Sequence, residues 1–301
     1  MTNRLQRIGV IGLGAMGMGV AQSLLRNGFE VHAYDVRPEV LQKLVDAGAH
    51  AAQSPARVGA EVDAIVIVVV NAQQTDAVLF GENGAAAHLK PGSVVVSCVT
   101  VSPEYAEALG EKLKAMDLVM IDAPVSGGAA KAAAGQMSVM ASGDPAAFAR
   151  CERLFGAIAG KLYCVGDMPG QGSKVKMINQ LLAGVHIAAS AEAMALGLRA
   201  GCNADALYEV ISNSAGSSWM FQNRVPHILA GDYTPLSAVN IFVKDLGIVL
   251  DYAKKSVFPL PLSSAAHQMF MQASAAGYGG EDDSAVVKIF PGIQLPAPAA
   301  K

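Results

Sequence analysis

Short apolar runs alternate with amphipathic stretches along the first half of the chain. Runs such as "DAIVIVVV" and "GSVVVSC" are apolar at successive positions, as in strands that are covered on both faces. Between them lie stretches whose apolar positions recur at a helical period, for example Pro103 to Met116. This alternation predicts an α/β fold with a doubly wound parallel sheet up to about Asp167.

The pattern changes in the second half of the chain. From about Gly172 the sequence predicts one long apolar helix, and beyond Gly201 it contains only helical signals. We therefore expect an all-α domain that follows a bridging helix. The expected boundaries are 1–168 for the α/β domain, 169–293 for the bridging helix and the all-α domain, and 294–301 for a flexible tail.

The composition is that of a soluble globular protein. Of the 301 residues, 52% are hydrophobic, and the net charge of −3 provides no bulk attraction to nucleic acid or to an acidic membrane. The first residues, "MTNRLQRIGVIG", lack the apolar core of a signal peptide. The longest purely apolar run, Ala64 to Val70, is too short to cross a bilayer. We therefore expect a cytoplasmic protein with no nucleic-acid or membrane partner.

The cysteines are widely spaced and form no C-x-x-C pair. They are Cys98, Cys151, Cys164 and Cys202. This spacing predicts neither a metal site nor structural disulfides, as expected in the cytoplasm.

A glycine-rich turn follows the first predicted strand and begins the first predicted helix. Its glycines have the spacing G-x-G-x-x-G. The first glycine of this motif permits a tight turn, the second lets the backbone approach a pyrophosphate, and the third lets helix and strand pack closely. The helix N-terminus then faces the phosphates. The turn predicts a dinucleotide site that contains Gly12, Leu13, Gly14, Ala15, Met16 and Gly17.

Asp35 ends the second predicted strand, where a carboxylate accepts hydrogen bonds from the adenosine ribose hydroxyls of NAD. A negative charge at this position repels the 2′-phosphate of NADP, so the expected cofactor is NAD. Arg37 argues against this preference for NAD, because an arginine so close to Asp35 could bind the 2′-phosphate of NADP. We favour its interpretation as a solvated charge in the loop.

Two lysines interrupt the small and apolar stretch "GQGSKVKMINQ", residues 170–180. Lys176 and Asn179 share a face of a helix because they are three positions apart. Lys174 points about 200° away from Lys176. The two lysines therefore lie on different faces of the helix, and we interpret Lys174 as a surface charge.

Four stretches in this order resemble the β-hydroxyacid dehydrogenases, the relatives of 3-hydroxyisobutyrate dehydrogenase. They are "GLGAMGMGVAQSLL", "DAPVSGGAAKAAAGQMSVMASG", "GQGSKVKMINQ" and "KDLGIVLDYA", and the resemblance extends from Arg7 to about Gly292. It implies a Rossmann-type domain, a bridging helix, a C-terminal all-α domain and a homodimer or homotetramer. It also implies NAD-dependent oxidation of a small hydroxyacid.

The resemblance further implies roles for individual residues. Lys176 is expected to be the general acid/base, Lys244 to contact the cofactor, and Thr100 to lie beside the nicotinamide ribose. The expected substrate-binding residues are Ser126, Gly127, Gly128 and Asn179; backbone N–H groups of such a turn suit a carboxylate. Family members often have an acidic residue and a serine just before the threonine, whereas this chain has Ser97, Cys98 and Val99.

Polar residues near the expected site bear on the substrate. Lys131 and the serines of "SAGSSWMFQNR" suit a substrate with several hydroxyl groups. With the resemblance, they imply oxidation of L-threonate at C2 to 2-dehydro-L-erythronate. Two alternative reactions would use the same site residues and cofactor: oxidation of 3-hydroxyisobutyrate and reduction of tartronate semialdehyde. A non-catalytic dinucleotide-binding protein is the alternative from another class, and the pair Lys176 and Asn179 argues against it.

Overall fold

The computed structural model of the protein describes residues 5–296. The chain divides into two compact units, unit 1 and unit 2, with the boundary between Met177 and Ile178. This boundary lies inside one continuous helix, Gln171–Arg199, and not in a loop. The expected bridging helix is therefore present.

The described part of unit 1 forms one sheet of nine strands. Six of them pair in parallel in the order β3-β2-β1-β4-β5-β6; β8 is antiparallel to β6 and to β7, and β9 is parallel to β8. The predicted doubly wound sheet is confirmed. The strands are β1 (Arg7–Ile11), β2 (Glu30–Tyr34), β3 (His50–Ala51), β4 (Ala64–Ile67), β5 (Val94–Ser97), β6 (Val119–Asp122), β7 (Val125–Ser126), β8 (Met137–Gly143) and β9 (Ala159–Gly166).

The central strands are apolar at every position because both faces of the sheet are covered. All residues of β4 and β5 are buried, and Ala64 pairs in register with Val94. Successive side chains belong to different cores: Val66 lies in one apolar cluster, and Ile65 and Ile67 lie in another. The continuous apolar runs in the sequence thus reflect a two-sided core.

Several helices of unit 1 begin with a capping side chain followed by proline. Ser54, Ser102 and Asp144 each accept a hydrogen bond from a backbone N–H of the next turn, and a proline follows each of them. The helices are α1 (Ala15–Arg26), α2 (Pro38–Asp46), α3 (Pro55–Glu61), α4 (Ala72–Phe80), α5 (Pro103–Lys114), α6 (Gly128–Ala134) and α7 (Pro145–Ile158), followed by the long helix α8 (Gln171–Arg199).

Unit 2 is helical throughout its described residues, as predicted. After α8 come α9 (Ala204–Ser212), α10 (Trp219–Ala230), α11 (Val239–Lys255) and α12 (Pro261–Ala273), then a π-helical turn (Ser274–Tyr278) and a 3-10 helix (Asp283–Ile289). Gly184 of α8 allows close packing on α11, because a Cβ there would lie 2.9 Å from Leu246. The small residues of α8 therefore bring neighbouring helices close.

The last long helix differs from the prediction. The sequence predicts a helix over 265–276 after a break at Pro259 and Pro261, whereas α12 begins at Pro261 itself and ends at Ala273. Proline is well tolerated in the first turn, since its missing N–H has no partner in the helix there. Beyond α12 the α-helical hydrogen-bond pattern changes to π-helical, and Gly277 has a φ of +94°.

Among the described helices, α8 alone combines the length and mean hydropathy of a membrane span, with a value of 1.6 over its most apolar window. It also carries Lys174, Lys176 and Glu192, and it packs on α11 through Gly184. These features are those of a core helix. At the C-terminus, the part of the expected tail from 297 to 301 lies outside the described residues.

Candidate active site

The glycine turn between β1 and α1 has the geometry that its motif requires. Gly12 has a φ of +93°, and a Cβ there would lie 2.6 Å from the carbonyl oxygen of Val68. A Cβ on Gly17 would lie 1.9 Å from the Gly12 oxygen, so helix and turn touch. A Cβ on Gly14, in contrast, would meet no atom within 4 Å.

The N-terminus of α1 is open and electrostatically suited to an anion. Gly14 is its N-cap, with no capping side chain, and the first turn contains no acidic residue. The N–H groups of this turn therefore retain their hydrogen-bonding capacity, and the helix dipole favours negative charge. Ala15 and Met16 form the start of the helix, and Leu13 is buried beneath the turn. These residues fit the pyrophosphate of a dinucleotide.

Asp35 ties the end of β2 to the glycine turn. Its Oδ2 accepts a hydrogen bond from Leu13 N at 2.7 Å. Its Oδ1 accepts bonds from the backbone N and from Nε of Arg37, both at 2.9 Å, and Arg37 Nη2 lies 3.0 Å from Oδ2. Arg37 is thus an exposed charge in the loop, as expected, and it is also paired with Asp35.

The Asp35 carboxylate is held in its ionised form. Burial raises its pKa, but hydrogen bonds from Arg37 and Leu13 outweigh burial, and the net pKa lies below the ordinary value. The Asp35 side chain is 6% exposed and that of Arg37 49% exposed. A fixed negative group therefore stands at the end of β2, with a half-exposed arginine beside it.

The carboxyl ends of neighbouring parallel strands collect several site residues at one edge of the sheet. Because β1, β4, β5 and β6 are adjacent and parallel, their C-terminal ends share this edge. Gly12 follows β1 and contacts the backbone at Val68, which follows β4. Thr100 lies in the connection between β5 and α5 and is half-buried. Ligands of doubly wound folds bind at this edge.

The turn after β7 requires both of its glycines. Gly127 has a φ of +134° and Gly128 a φ of +76°, a region in which a side chain is strained. Gly127 is the N-cap of α6, and Ser126, the last residue of β7, is half-buried. The first backbone N–H groups of α6 thus follow closely after Ser126 in this turn.

Asp122 organises the start of α8. Its Oδ2 accepts hydrogen bonds from Gly170 N at 2.9 Å and Ser173 N at 2.8 Å, and its Oδ1 accepts one from Ser173 Oγ at 2.9 Å. Burial raises the pKa of this carboxyl, although the bonds from Ser173 and Gly170 oppose the shift. The first turn of α8 is therefore fixed to the end of β6.

The two lysines of α8 have different environments. Lys176 is 6% exposed, so its side chain is buried. Lys174 Nζ lies 2.9 Å from Glu107 Oε1 of α5 in a pair that is nearly half-exposed on both sides. The interpretation of Lys174 as a surface charge agrees with this pair.

In unit 2, one buried carboxylate connects two of the sequence motifs. Asp245 is 2% exposed. Its Oδ1 lies 2.6 Å from Lys244 Nζ, and its Oδ2 accepts a hydrogen bond from Gln180 Nε2, also at 2.6 Å. Gln180 Oε1 in turn accepts a bond from Asn179 Nδ2 at 3.0 Å. Lys244 and Asn179 are therefore linked through Gln180 and Asp245.

Sequence reasoning did not identify three of these residues as parts of the site: Asp122, Gln180 and Asp245. Each stands next to or inside a motif, which was the available signal. Their partners, however, lie 48 to 65 positions away along the chain. No local spacing predicts contacts over such separations.

Comparisons with known proteins agree with this arrangement. Residues 7–166 match the model of the NAD-binding domain of 6-phosphogluconate dehydrogenase. Residues 170–290 match the model described as the NAD-binding domain of NADP-dependent 3-hydroxyisobutyrate dehydrogenase. The two matches cover unit 1 and unit 2 almost entirely.

Full-length relatives are similar over nearly the whole chain. An L-threonate dehydrogenase of Cupriavidus necator is 67% identical, with 98% of this chain and 99% of the relative aligned. An L-threonate dehydrogenase of Escherichia coli K12 is 55% identical over 96% of both chains. A crystal structure of a 3-hydroxyisobutyrate dehydrogenase from Salmonella typhimurium has a TM-score of 0.91 and 54% identity, covering 95% of this chain and 100% of that one. With its Rossmann-type domain and its helical domain, the chain belongs to the family of NAD-dependent hydroxyacid dehydrogenases related to 3-hydroxyisobutyrate dehydrogenase.

Proposed function

We propose that this protein oxidises the C2 hydroxyl of L-threonate with NAD and forms 2-dehydro-L-erythronate. The observation that carries the proposal is the 67% identity, over nearly the entire chain, to a protein named L-threonate dehydrogenase. A second candidate is oxidation of 3-hydroxyisobutyrate, because the similar crystal structure carries that name. Reduction of tartronate semialdehyde is an alternative reaction that would use the same site residues and cofactor.

In this proposal Lys176 is the general acid/base. NAD, when bound, accepts the hydride from C2. Lys176 Nζ accepts the hydroxyl proton during oxidation and returns it in the reverse direction. Its burial keeps bulk water from its amine, and the hydrogen bonds of Asp122 fix the turn of α8 that precedes it.

The remaining site residues bind and orient. We assign the substrate carboxylate to the turn of Ser126, Gly127 and Gly128, because several N–H groups at positive-φ glycines suit an anion. Asn179 holds a substrate oxygen on the same face of α8 as Lys176. The link of Asn179 to Gln180 supports this role by restricting the orientation of its amide.

For the cofactor, we assign the glycine turn from Gly12 to Gly17 to the pyrophosphate and Asp35 to the adenosine ribose. Thr100 is assigned to the nicotinamide ribose, and Lys244 is assigned to the cofactor. The ionised Asp35 favours NAD over NADP because it repels a 2′-phosphate. Arg37 is held by Asp35 and so does not offer its charge freely to such a phosphate.

We further propose a cytoplasmic homodimer or homotetramer. On α8, Ile178, Leu182 and Leu196 are 53%, 51% and 69% exposed, although they are large and apolar. A second copy of the chain would remove them from water. Light scattering on the purified protein tests this assembly.

A turnover assay tests the function. The purified protein is incubated with NAD or NADP and, in separate reactions, with L-threonate, D-threonate and 3-hydroxyisobutyrate, and the product is identified by mass spectrometry. We expect the highest kcat/KM for L-threonate with NAD. A higher value for 3-hydroxyisobutyrate favours the second candidate, and NAD binding without turnover of any hydroxyacid favours a non-catalytic protein.

A further inference from the structure

Two histidines and a glutamate converge at the β3 edge of the sheet in unit 1. His50 of β3 pairs in register with His32 of β2. Glu30 stands two positions before His32 on β2, so both side chains project from the same face of the sheet. The strand pairing thus brings together three residue types that bind metal ions well.

The ligand atoms of this cluster are close to one another. His32 Nε2 lies 2.9 Å from Glu30 Oε1, and His50 Nε2 lies 3.9 Å from the same oxygen. The two nitrogens and the carboxylate oxygen all lie within 4.8 Å of one another. Three ligands of a tetrahedral zinc ion, each about 2.0–2.2 Å from the metal, are about 3.3 Å apart. Small side-chain rotations therefore bring these atoms to coordination distance.

We propose that Glu30, His32 and His50 form a binding site for a divalent transition-metal ion of the zinc type. Two imidazole nitrogens and one carboxylate oxygen supply three ligands, and water completes the tetrahedron. The ligand set selects borderline ions such as Zn²⁺ over Mg²⁺ and Ca²⁺, which prefer sites made only of oxygen. The dinucleotide site and the proposed reaction do not require this ion.

The surroundings keep the ligands available. The His32 side chain is only 14% exposed, which holds its ring in place, while those of Glu30 and His50 are 42% and 61% exposed and leave the ion a path from solvent. Arg7 of β1 pairs in register with Glu30, but its guanidinium donates to Asp63 at 2.8 Å.

An ion at this position would join two strands that share little contact. β3 consists of two residues, and β2 is its sheet partner. Coordination by His50 on one strand and by Glu30 and His32 on the other would fasten β3 to the sheet. Because the ion would bind the folded state in preference to the unfolded chain, it should raise the thermal stability of the protein.

The test is Zn²⁺ binding to the full-length protein after removal of any affinity tag. Calorimetric titration with Zn²⁺ is compared for the unmodified protein, His50→Ala, Glu30→Gln and the control His88→Ala, which alters an exposed histidine elsewhere in unit 1. We expect a saturable site of one equivalent in the unmodified protein and in the control, with a Kd in the micromolar range or below. Affinity should fall by about tenfold or more in the other two variants, since each loses one of three ligands. Co²⁺ should give the intense visible absorption of a tetrahedral complex.

Thermal unfolding gives a second readout that does not depend on activity. Saturating Zn²⁺ should raise the Tm of the unmodified protein and of His88→Ala by a few degrees, and that of His50→Ala by less. Absence of saturable binding to the unmodified protein would overturn the proposal. So would equal affinity in His50→Ala and His88→Ala, which would place the ion elsewhere on the chain.

Discussion

Gln180 Nε2 donates a hydrogen bond of 2.6 Å to Asp245 Oδ2, across 65 positions of the chain. The other oxygen of the same carboxylate pairs with Lys244, and Gln180 also accepts a bond from Asn179. The lysine assigned to the cofactor thus contacts Asp245 directly, and the asparagine assigned to the substrate is connected to it through Gln180. We therefore expect Asp245 to help position both.

Replacing Asp245 by asparagine should therefore weaken cofactor use. The side chain of asparagine has only one acceptor oxygen, so its NH₂ group must face either Lys244 or Gln180. One of the two attractive contacts of Asp245 then becomes a contact between two donors. Leaving such a buried group unsatisfied costs about 1–3 kcal/mol. We expect a lower Tm and a severalfold higher KM for NAD in steady-state kinetics.

Asp251→Asn is the matched control, because it makes the same change at an exposed position of α11. It should leave the KM for NAD unchanged. If Asp245→Asn lowered the Tm but left the KM for NAD at the unmodified value, Asp245 would have only a structural role.

The two lysines at the start of α8 should differ sharply when each is changed to alanine. Lys176→Ala removes the proposed acid/base, and loss of such a group typically lowers the rate by about 10²–10⁴-fold. NAD affinity, measured by fluorescence titration, should stay nearly the same because this lysine acts on the substrate oxygen.

Lys174→Ala removes only an exposed ion pair with Glu107, and such pairs contribute about 0–1 kcal/mol. Its kcat and NAD affinity should match those of the unmodified protein. An inactive Lys174→Ala together with an active Lys176→Ala would show that the catalytic lysine has been assigned to the wrong position.

Asp122 should affect turnover through the geometry of α8. In Asp122→Ala, the N–H groups of Gly170 and Ser173 lose the oxygen that accepts their hydrogen bonds. We expect a loss of stability of about 1–3 kcal/mol and a lower kcat. The milder variant Ser173→Ala loses only its hydroxyl bond to Asp122, so its values should lie between those of Asp122→Ala and of the unmodified protein. Urea unfolding and steady-state kinetics measure these effects. Asp167→Ala, at an exposed position, serves as control, and equal kcat in both aspartate variants would contradict the positioning role.

Asp35 should set the choice between the two dinucleotides. Asp35→Asn removes the charge that repels a 2′-phosphate and also releases Arg37 to meet one. The ratio of kcat/KM for NAD to that for NADP should therefore fall by tenfold or more, about 1.4 kcal/mol of discrimination. The double variant with Arg37→Ala should recover less NADP activity than Asp35→Asn alone. Equal use of both cofactors by the unmodified protein would contradict the assignment.

The same carboxylate should make the stability of the protein fall in acid. The pKa of Asp35 is lower in the folded protein than in the unfolded chain. Between these two pKa values the folded state therefore binds fewer protons than the unfolded chain. Its stabilising contribution is complete above the unfolded value of about 3.9 and is lost as the pH falls through the folded pKa. The difference in unfolding free energy between the unmodified protein and Asp35→Asn should be larger at pH 7 than at pH 3. A difference that does not change with pH would show that the charge of Asp35 does not stabilise the fold.

The sequence by itself determined the features that depend on local spacing. The glycines of the first turn could be assigned because only glycine suits these positions. The backbone has a positive φ at Gly12, and there is no room for a Cβ at Gly17. The two-sided sheet followed from apolar runs such as the one that contains Ala64 to Ile67, since strands covered on both faces are typically apolar at successive positions. Helix periodicity alone indicated that Lys174 and Lys176 point in different directions, whereas the expected role of Lys176 came from the family resemblance.

Only the tertiary structure decided which distant groups meet. The hydrogen bonds of Asp122 reach Gly170 and Ser173, far along the chain, and no local pattern indicated them. The pairing of Arg37 with Asp35 depends on the loop conformation after β2, which residue spacing does not specify. The link from Gln180 to Asp245 exists because α8 and α11 pack side by side, and such packing is a property of the whole core and not of either segment.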